Sequence, residues 1–387
     1  METNTRVTAL RYDDDAHVWH VETEDGQRRE ADAVLVATGQ LNQPSYPAID
    51  GADDFAGHTF HSARWDHGHT LAGKRVAVIG TGASAVQFVP EVATQAARLT
   101  VFQRSGNWFL PRRNRRYPAA YRWAIRHVPG LQAWRRLFLT GYLEVLTAWI
   151  RHPRTLGRVG ALWSTLFMRS QLTDPEVRRK AWPDYTFGCK RILFSSHYLP
   201  ALQRENVELV TDAVSGIEPG GVRTADGRLH EVDTIIWGTG FRTNDFMFPM
   251  EITGRDGRTL AQEWASGAHA HLGMTVPGFP SLFVLYGPNT NTSGGSIIVF
   301  LEAQAAYVRQ ALQETARRQA RAVEVRADVE SAADAHMQEA FTDTAWLACD
   351  SWYRQPDGRI VANWPRYMEQ YVRATRTLDP REYEFHR

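Results

Sequence analysis

"RVAVIGTGASAVQ", Arg75 to Gln87, is the stretch whose reading decides the fold. Val76 to Ile79 is continuously apolar, as in a parallel strand buried on both faces. It runs into Gly80-Thr81-Gly82-Ala83-Ser84-Ala85, and an apolar helical pattern follows. In a unit of this kind Gly80 permits the tight turn, Gly82 lets a pyrophosphate approach the backbone, and Ala85 keeps helix and strand close. The helix start, with Thr81 and Ser84 beside it, offers free N–H groups and a positive dipole end to phosphates. A glycine pattern alone is weak, but a strand before it and a helix after it give it weight. The stretch predicts a dinucleotide-binding unit in an α/β protein.

The next strand, "RLTVFQRS", selects the cofactor. An acidic residue about twenty positions beyond the glycines would read the ribose 2′-OH of NAD. Arg104 stands there instead. A guanidinium suits a 2′-phosphate, so NADPH is expected rather than NADH.

More than seventy residues precede this unit. "RVTALRYD" and "HVWHVETED" alternate like strands of an antiparallel meander, with "EDGQ" as a turn. "ADAVLVATG" then reads as a further apolar strand, ending at Thr38-Gly39 and expected to be buried on both faces. "QLNQPSYPAIDGADD" is a loop suited to a domain crossing. Downstream, "NVELVTDAVSGIEPGGVRTADGRLHEVDTIIWGTGF" repeats the logic of strands, hairpin and an apolar strand ending at Gly238-Thr239-Gly240. "SLFVLYGPN" leads to a helix from about Ile297 to Gln319.

The bulk properties narrow the class. Cys189 and Cys349, far apart, match no metal or redox spacing, so reduced thiols, no metal and a cytoplasmic protein are expected. The net charge of +1 argues against nucleic acid. Between Arg112 and Lys180, however, fifteen Arg and Lys face only Glu144, Asp174 and Glu176. That segment reads either as a solvated helical insertion or as a basic, Trp-rich surface making peripheral contact with anionic lipid.

"FAGHTFHSARWD" carries a more specific pattern. Phe55, Gly57, His61, Trp65 and Asp66 fall at the spacing F-x-G-x-x-x-H-x-x-x-W-[PD]. This resembles the signature of Baeyer–Villiger monooxygenases within the flavin-containing monooxygenase class. The resemblance extends over nearly the whole chain, and what it implies is a flavoprotein with two dinucleotide-binding domains. A Rossmann-like NADPH domain (71–235, with the basic helical insertion 112–185) would interrupt an FAD domain formed by 1–70 and 236–387. The strands ending at Thr38-Gly39 and Thr239-Gly240 look like the exits from and return to the FAD domain. "FGCKRILFSSHYLPAL" looks like the segment with the active-site pair, here Lys190 and Arg191. "LYGPN", with Gly287 and Asn289, is similar to the loop against the flavin. "DSWYRQPDGRIVANWP" resembles the C-terminal stretch in which Trp352 would contact NADP.

The implied reaction has NADPH reduce FAD, with O₂ captured as a C4a-peroxyflavin that attacks an apolar ketone to give an ester or lactone. Arg191 would stabilise the developing anion, and Lys190 could instead hold a phosphate. Oxygen transfer to nitrogen or sulfur is the alternative within the class. The family also begins with an FAD fingerprint, G-x-G-x-x-G, which does not precede Thr38 here. The chain is therefore expected to open within that domain, and a flavin-free NADPH-binding remnant is the alternative outside the class.

Overall fold

A computed structural model describes residues 2–387 except 113–115, 244, 245, 248 and 293. Arg113 and Arg115 of the basic segment thus lie outside the described residues. The chain divides into two compact units. One comprises 1–40, 133–152 and 243–387, the other 41–132 and 153–242. Residues 41–70, which contain the F-x-G-x-x-x-H pattern, therefore fold with the nucleotide unit, which also extends through Arg242. The reason is strand pairing, described below.

In the first unit the alternating segments pair as read. β1 (Val7–Asp13), β2 (Val18–Thr23) and β3 (Arg28–Ala31) form an antiparallel meander, with Glu251–Thr253 parallel to β1 on the outside. Alternation places Leu10, Tyr12 and Trp19 in a core with Ile252, Phe279 and Leu282. The buried Trp19 indole donates to the Pro280 carbonyl at 2.7 Å. β4 (Val34–Val36) pairs in parallel with Leu282–Val284. Only one neighbour is paired with β4 among the described residues, and Leu35 is 46% exposed where its apolar run suggests a strand buried on both faces. A long helix, Ile297–Arg317, turns Phe300, Tyr307, Val308 and Ala311 inward.

The second unit is built on a five-stranded, fully parallel sheet. Its strands are β5 (His58–His61), β6 (Arg75–Ile79), β7 (Arg98–Phe102), Val207–Val210 and Thr234–Trp237. Their order is Val207–Val210, β7, β6, Thr234–Trp237, β5. The central strands are Val- and Ile-rich because both faces are covered: Val76, Ala77, Val78, Ile235 and Ile236 are fully buried. α1 (Ala83–Gln95) connects β6 to β7 and packs through Ala85, Val86, Val89, Val92 and Ala93, a helical spacing. The basic segment forms α2 (Ala119–His127), α3 (Leu131–Arg151) and α4 (Leu156–Gln171). No helix among the described residues is long and apolar enough to cross a membrane.

One expectation fails on chemistry. Neither Cys189 nor Cys349 is a free thiol. Spacing along a chain does not report the state of its thiols, and the cytoplasmic reading loses the support it took from them.

Candidate functional site

The sheet of the second unit changes direction at β6. The chain leaves β6 through α1 to β7 on one side, while Thr234–Trp237 lies on the other. A crevice at the carboxyl ends of such strands is where open α/β sheets bind ligands. Two glycine turns meet there. A Cβ on Gly80, whose φ is +107°, would stand 2.4 Å from the Gly238 carbonyl oxygen. A Cβ on Gly238 would stand 3.4 Å from the Cβ of Ala85. Small residues at 80, 85 and 238 thus let turn, helix and neighbouring strand close on each other.

Gly82 is different. It is the N-cap of α1, without a side chain to cap the free N–H groups. A Cβ there would meet nothing within 4 Å. The helix start is open, the geometry a pyrophosphate needs. Thr81 is buried, and its carbonyl accepts a 2.9 Å hydrogen bond from Asn107 Nδ2. Ser84 is half-buried in the first turn. Arg104, two residues past β7 and on the same sheet edge, is exposed. Next to it, Ser105 Oγ accepts from Lys190 Nζ at 3.0 Å. The Lys190 ammonium also lies 4.5 Å from the Tyr185 ring centroid, a cation–π distance. Lys190 is therefore tied to the nucleotide corner, whereas Arg191 beside it is exposed. Asn107 and Ser105 had no sequence signal of their own, because contact with Thr81 and Lys190 joins distant stretches.

The signature stretch forms the fifth strand of this sheet. β5 pairs with Thr234–Trp237, His61 opposite Trp237. Phe55 is buried in the core beneath, and a Cβ on Gly57 would strike the Asp233 carbonyl at 2.6 Å. His61 is 1% exposed, its Nδ1 accepting from the Ala63 N–H at 3.0 Å. Burial holds its imidazole below the usual histidine pKa. Its ring is packed edge-on against Tyr46 and Phe241. These two belong to paired passages of chain: Pro44 bridges Phe241, and Ser45 N–H donates to Gly240 at 3.0 Å. Trp65 packs on Phe60 and Phe88, and Asp66 pairs with His58 at 2.9 Å. His61, Trp65 and Asp66 thus brace one side of the nucleotide sheet and its entering and leaving strands.

In the first unit, the carboxyl ends of β4 and of Leu282–Val284 lie side by side, with Leu285 N–H bonded to Val36 at 2.8 Å. Thr38-Gly39 follows one and Gly287 to Asn289 the other. Gly39 has a φ of +70° and open space at its Cβ position. Gln40 is 4% exposed, and both atoms of its amide are unbonded among the described residues. An orphaned amide beside a glycine turn fits a bound polar group; Gln40 escaped the sequence reading because a lone Gln after Thr-Gly carries no pattern. Asn289 serves the scaffold: its amide donates to the Ile360 and Asn363 carbonyls at 2.7 and 3.0 Å. Ile360 in turn bridges Arg354, closing the hairpin that carries Trp352. Trp352 is 41% exposed and packed on Tyr353.

Fold and site together define a flavin-binding monooxygenase-like protein, and the family model of that description matches residues 3–134. The chain is 39% identical over 386 residues to a Baeyer–Villiger monooxygenase of Pseudomonas aeruginosa, covering 98% of itself and 73% of the relative. A Baeyer–Villiger monooxygenase of Streptomyces coelicolor is also 39% identical, with 98% and 74% covered. Among solved structures, an oxidized steroid monooxygenase bound to NADP superposes with a TM-score of 0.87 at 27% identity, over 99% of this chain and 80% of that one. The chain belongs to the Baeyer–Villiger monooxygenase family. Its fold is that of a flavoprotein with two dinucleotide-binding domains.

Proposed function

We propose that this protein uses FAD and NADPH to insert one oxygen atom of O₂ into the bond beside a ketone carbonyl, giving an ester or lactone. The second oxygen leaves as water, balanced by the hydride of NADPH and a proton. The carrying observation is the corner where the open N-terminus of α1, exposed Arg104 and the Ser105-bound Lys190 come together. These groups fit a nicotinamide dinucleotide phosphate: Gly82 would leave room for the pyrophosphate, Arg104 would read the 2′-phosphate, and Lys190 would supply a second cation. Thr38, Gly39, Gln40 and Gly287 are the residues that would hold the flavin. When bound, FAD supplies the two-electron chemistry between NADPH and dioxygen.

Arg191 is the group for the oxygenation step. A guanidinium stays charged at any working pH, and a preorganised positive charge lowers the cost of negative charge developing on oxygen. Lys190, held toward Ser105, positions the dinucleotide. Trp352, exposed on its anchored hairpin, is a candidate cofactor contact.

The test is turnover of the full chain, supplied with FAD and NADPH, on a cyclic ketone under isotopically labelled dioxygen. One labelled oxygen per lactone, with one NADPH consumed, is expected. Oxygen delivered to an amine or sulfide but not to the ketone would shift the reading to heteroatom hydroxylation. NADPH oxidation yielding only hydrogen peroxide would reject it.

A further inference from the structure

The helical insertion has a feature that oxygenation does not use. In α4, Gly157, Gly160, Ser164 and Met168 are buried, Ser164 donating to the Phe109 carbonyl of the same unit at 2.7 Å. Leu156, Val159, Leu162, Trp163 and Leu166 are exposed, three of them by more than half: Val159 58%, Leu162 59% and Leu166 59%. At about 100° per residue these five share an arc of about 120°, roughly opposite the buried residues. A helix normally turns such a stripe to a core. Arg158 and Arg169, both exposed, lie along one margin of the arc.

The charge of the insertion within this unit is one-sided. The described parts of the insertion in this unit, 111–112, 116–132 and 153–171, hold seven arginines, all exposed, and no Asp or Glu. α2, in the same unit, buries none of its residues, and its Trp123 is 60% exposed.

We infer that the exposed face of α4, with α2, is a docking surface for a bilayer rich in anionic phospholipid. The apolar stripe enters among the acyl chains while the arginines keep their guanidiniums at the phosphates, the arrangement of an interfacial amphipathic helix. Charge selects this occupant. Two copies of so basic a face repel one another, which disfavours a dimer through it. Nucleic acid would meet the arginines but leave the aliphatic stripe wet.

The experiment is sedimentation of the full chain with vesicles of phosphatidylcholine alone or with about 30 mol % phosphatidylserine. Binding at least about tenfold tighter to the anionic vesicles, weakening as salt rises, is expected. The double variants Leu162→Ser/Leu166→Ser and Arg158→Gln/Arg169→Gln alter only exposed side chains, so each should keep the melting temperature and lose most of the binding. Brominated acyl chains should quench the fluorescence of the unaltered chain, and Trp163→Phe should remove part of that quenching. Equal binding to neutral vesicles, or none to either, overturns the inference. So does a dimer abolished by Leu162→Ser/Leu166→Ser, or binding to an oligonucleotide without binding to vesicles.

Discussion

At the scale of single residues, the proposed function gives neighbouring cations different work. Arg104 lies two residues past β7, and its contact with a 2′-phosphate would be a charge-assisted bond of about 1.5–3 kcal/mol. Arg104→Ala should weaken NADPH by about 10–100-fold and leave NADH nearly unchanged, which titration of both cofactors checks. Equal losses would show that Arg104 does not read the 2′-phosphate. Lys190→Met, which breaks the Ser105 contact, should raise the KM for NADPH by about tenfold with kcat little changed, the pattern of lost uniform binding. Arg191→Ala should behave in the opposite way. Flavin reduction by NADPH should persist while ester formation falls by about 10²–10³, as when one preorganised charge is removed from an oxyanion-type site. Single-turnover reduction and product assay separate the two outcomes.

At the scale of elements, the glycine turn between β6 and α1 holds two glycines with different duties. Gly80 has a positive φ and no room for a Cβ against the Gly238 carbonyl. Gly80→Ala should cost about 2–4 kcal/mol, combining backbone strain with overpacking. Gly82 has an ordinary φ and open space, so Gly82→Ala should leave chemical denaturation unchanged and weaken NADPH by filling the approach to the phosphates. Loss of stability in the Gly82 variant would mean that this glycine serves the fold. The signature strand makes a related point. Its aromatic and histidine positions carry the family signature, and β5 sets His61 at a sheet edge beside the paired passages at Pro44 and Phe241.

For the molecule as a whole, acid stability is the property with a named cause. His271 is 5% exposed, and burial pushes its imidazole down to about 4 although Glu382 lies 3.4 Å away. His61 is shifted in the same direction by the same cause. With the folded pKa below the unfolded value, the unfolded chain binds the extra proton. The stabilisation is therefore complete above about pH 6.5 and is lost as pH falls toward 4, up to about 3 kcal/mol for His271. His271→Gln should flatten the fall of the melting temperature across that window, relative to the unaltered chain. An unchanged slope would place the acid sensitivity elsewhere.

What the sequence determined by itself was local and periodic. Val76–Ile79 running into Gly80–Ala85 specifies a strand, a turn and a helix whose start accepts phosphate, because backbone conformation and burial are written in neighbouring residues. Arg104 is legible for the same reason, at a set distance along one βα unit. The alternating meander and the apolar run of Thr234–Trp237 follow from the period of two and its absence. The tertiary structure decided everything that depends on distant partners. It placed the signature strand in the nucleotide sheet, set Gly238 against Gly80, and tied Lys190 to Ser105. It also left Leu35 and the α4 stripe exposed, where periodicity alone expects burial. An apolar residue records a preference for leaving water; only the neighbours a fold supplies decide whether that preference is met.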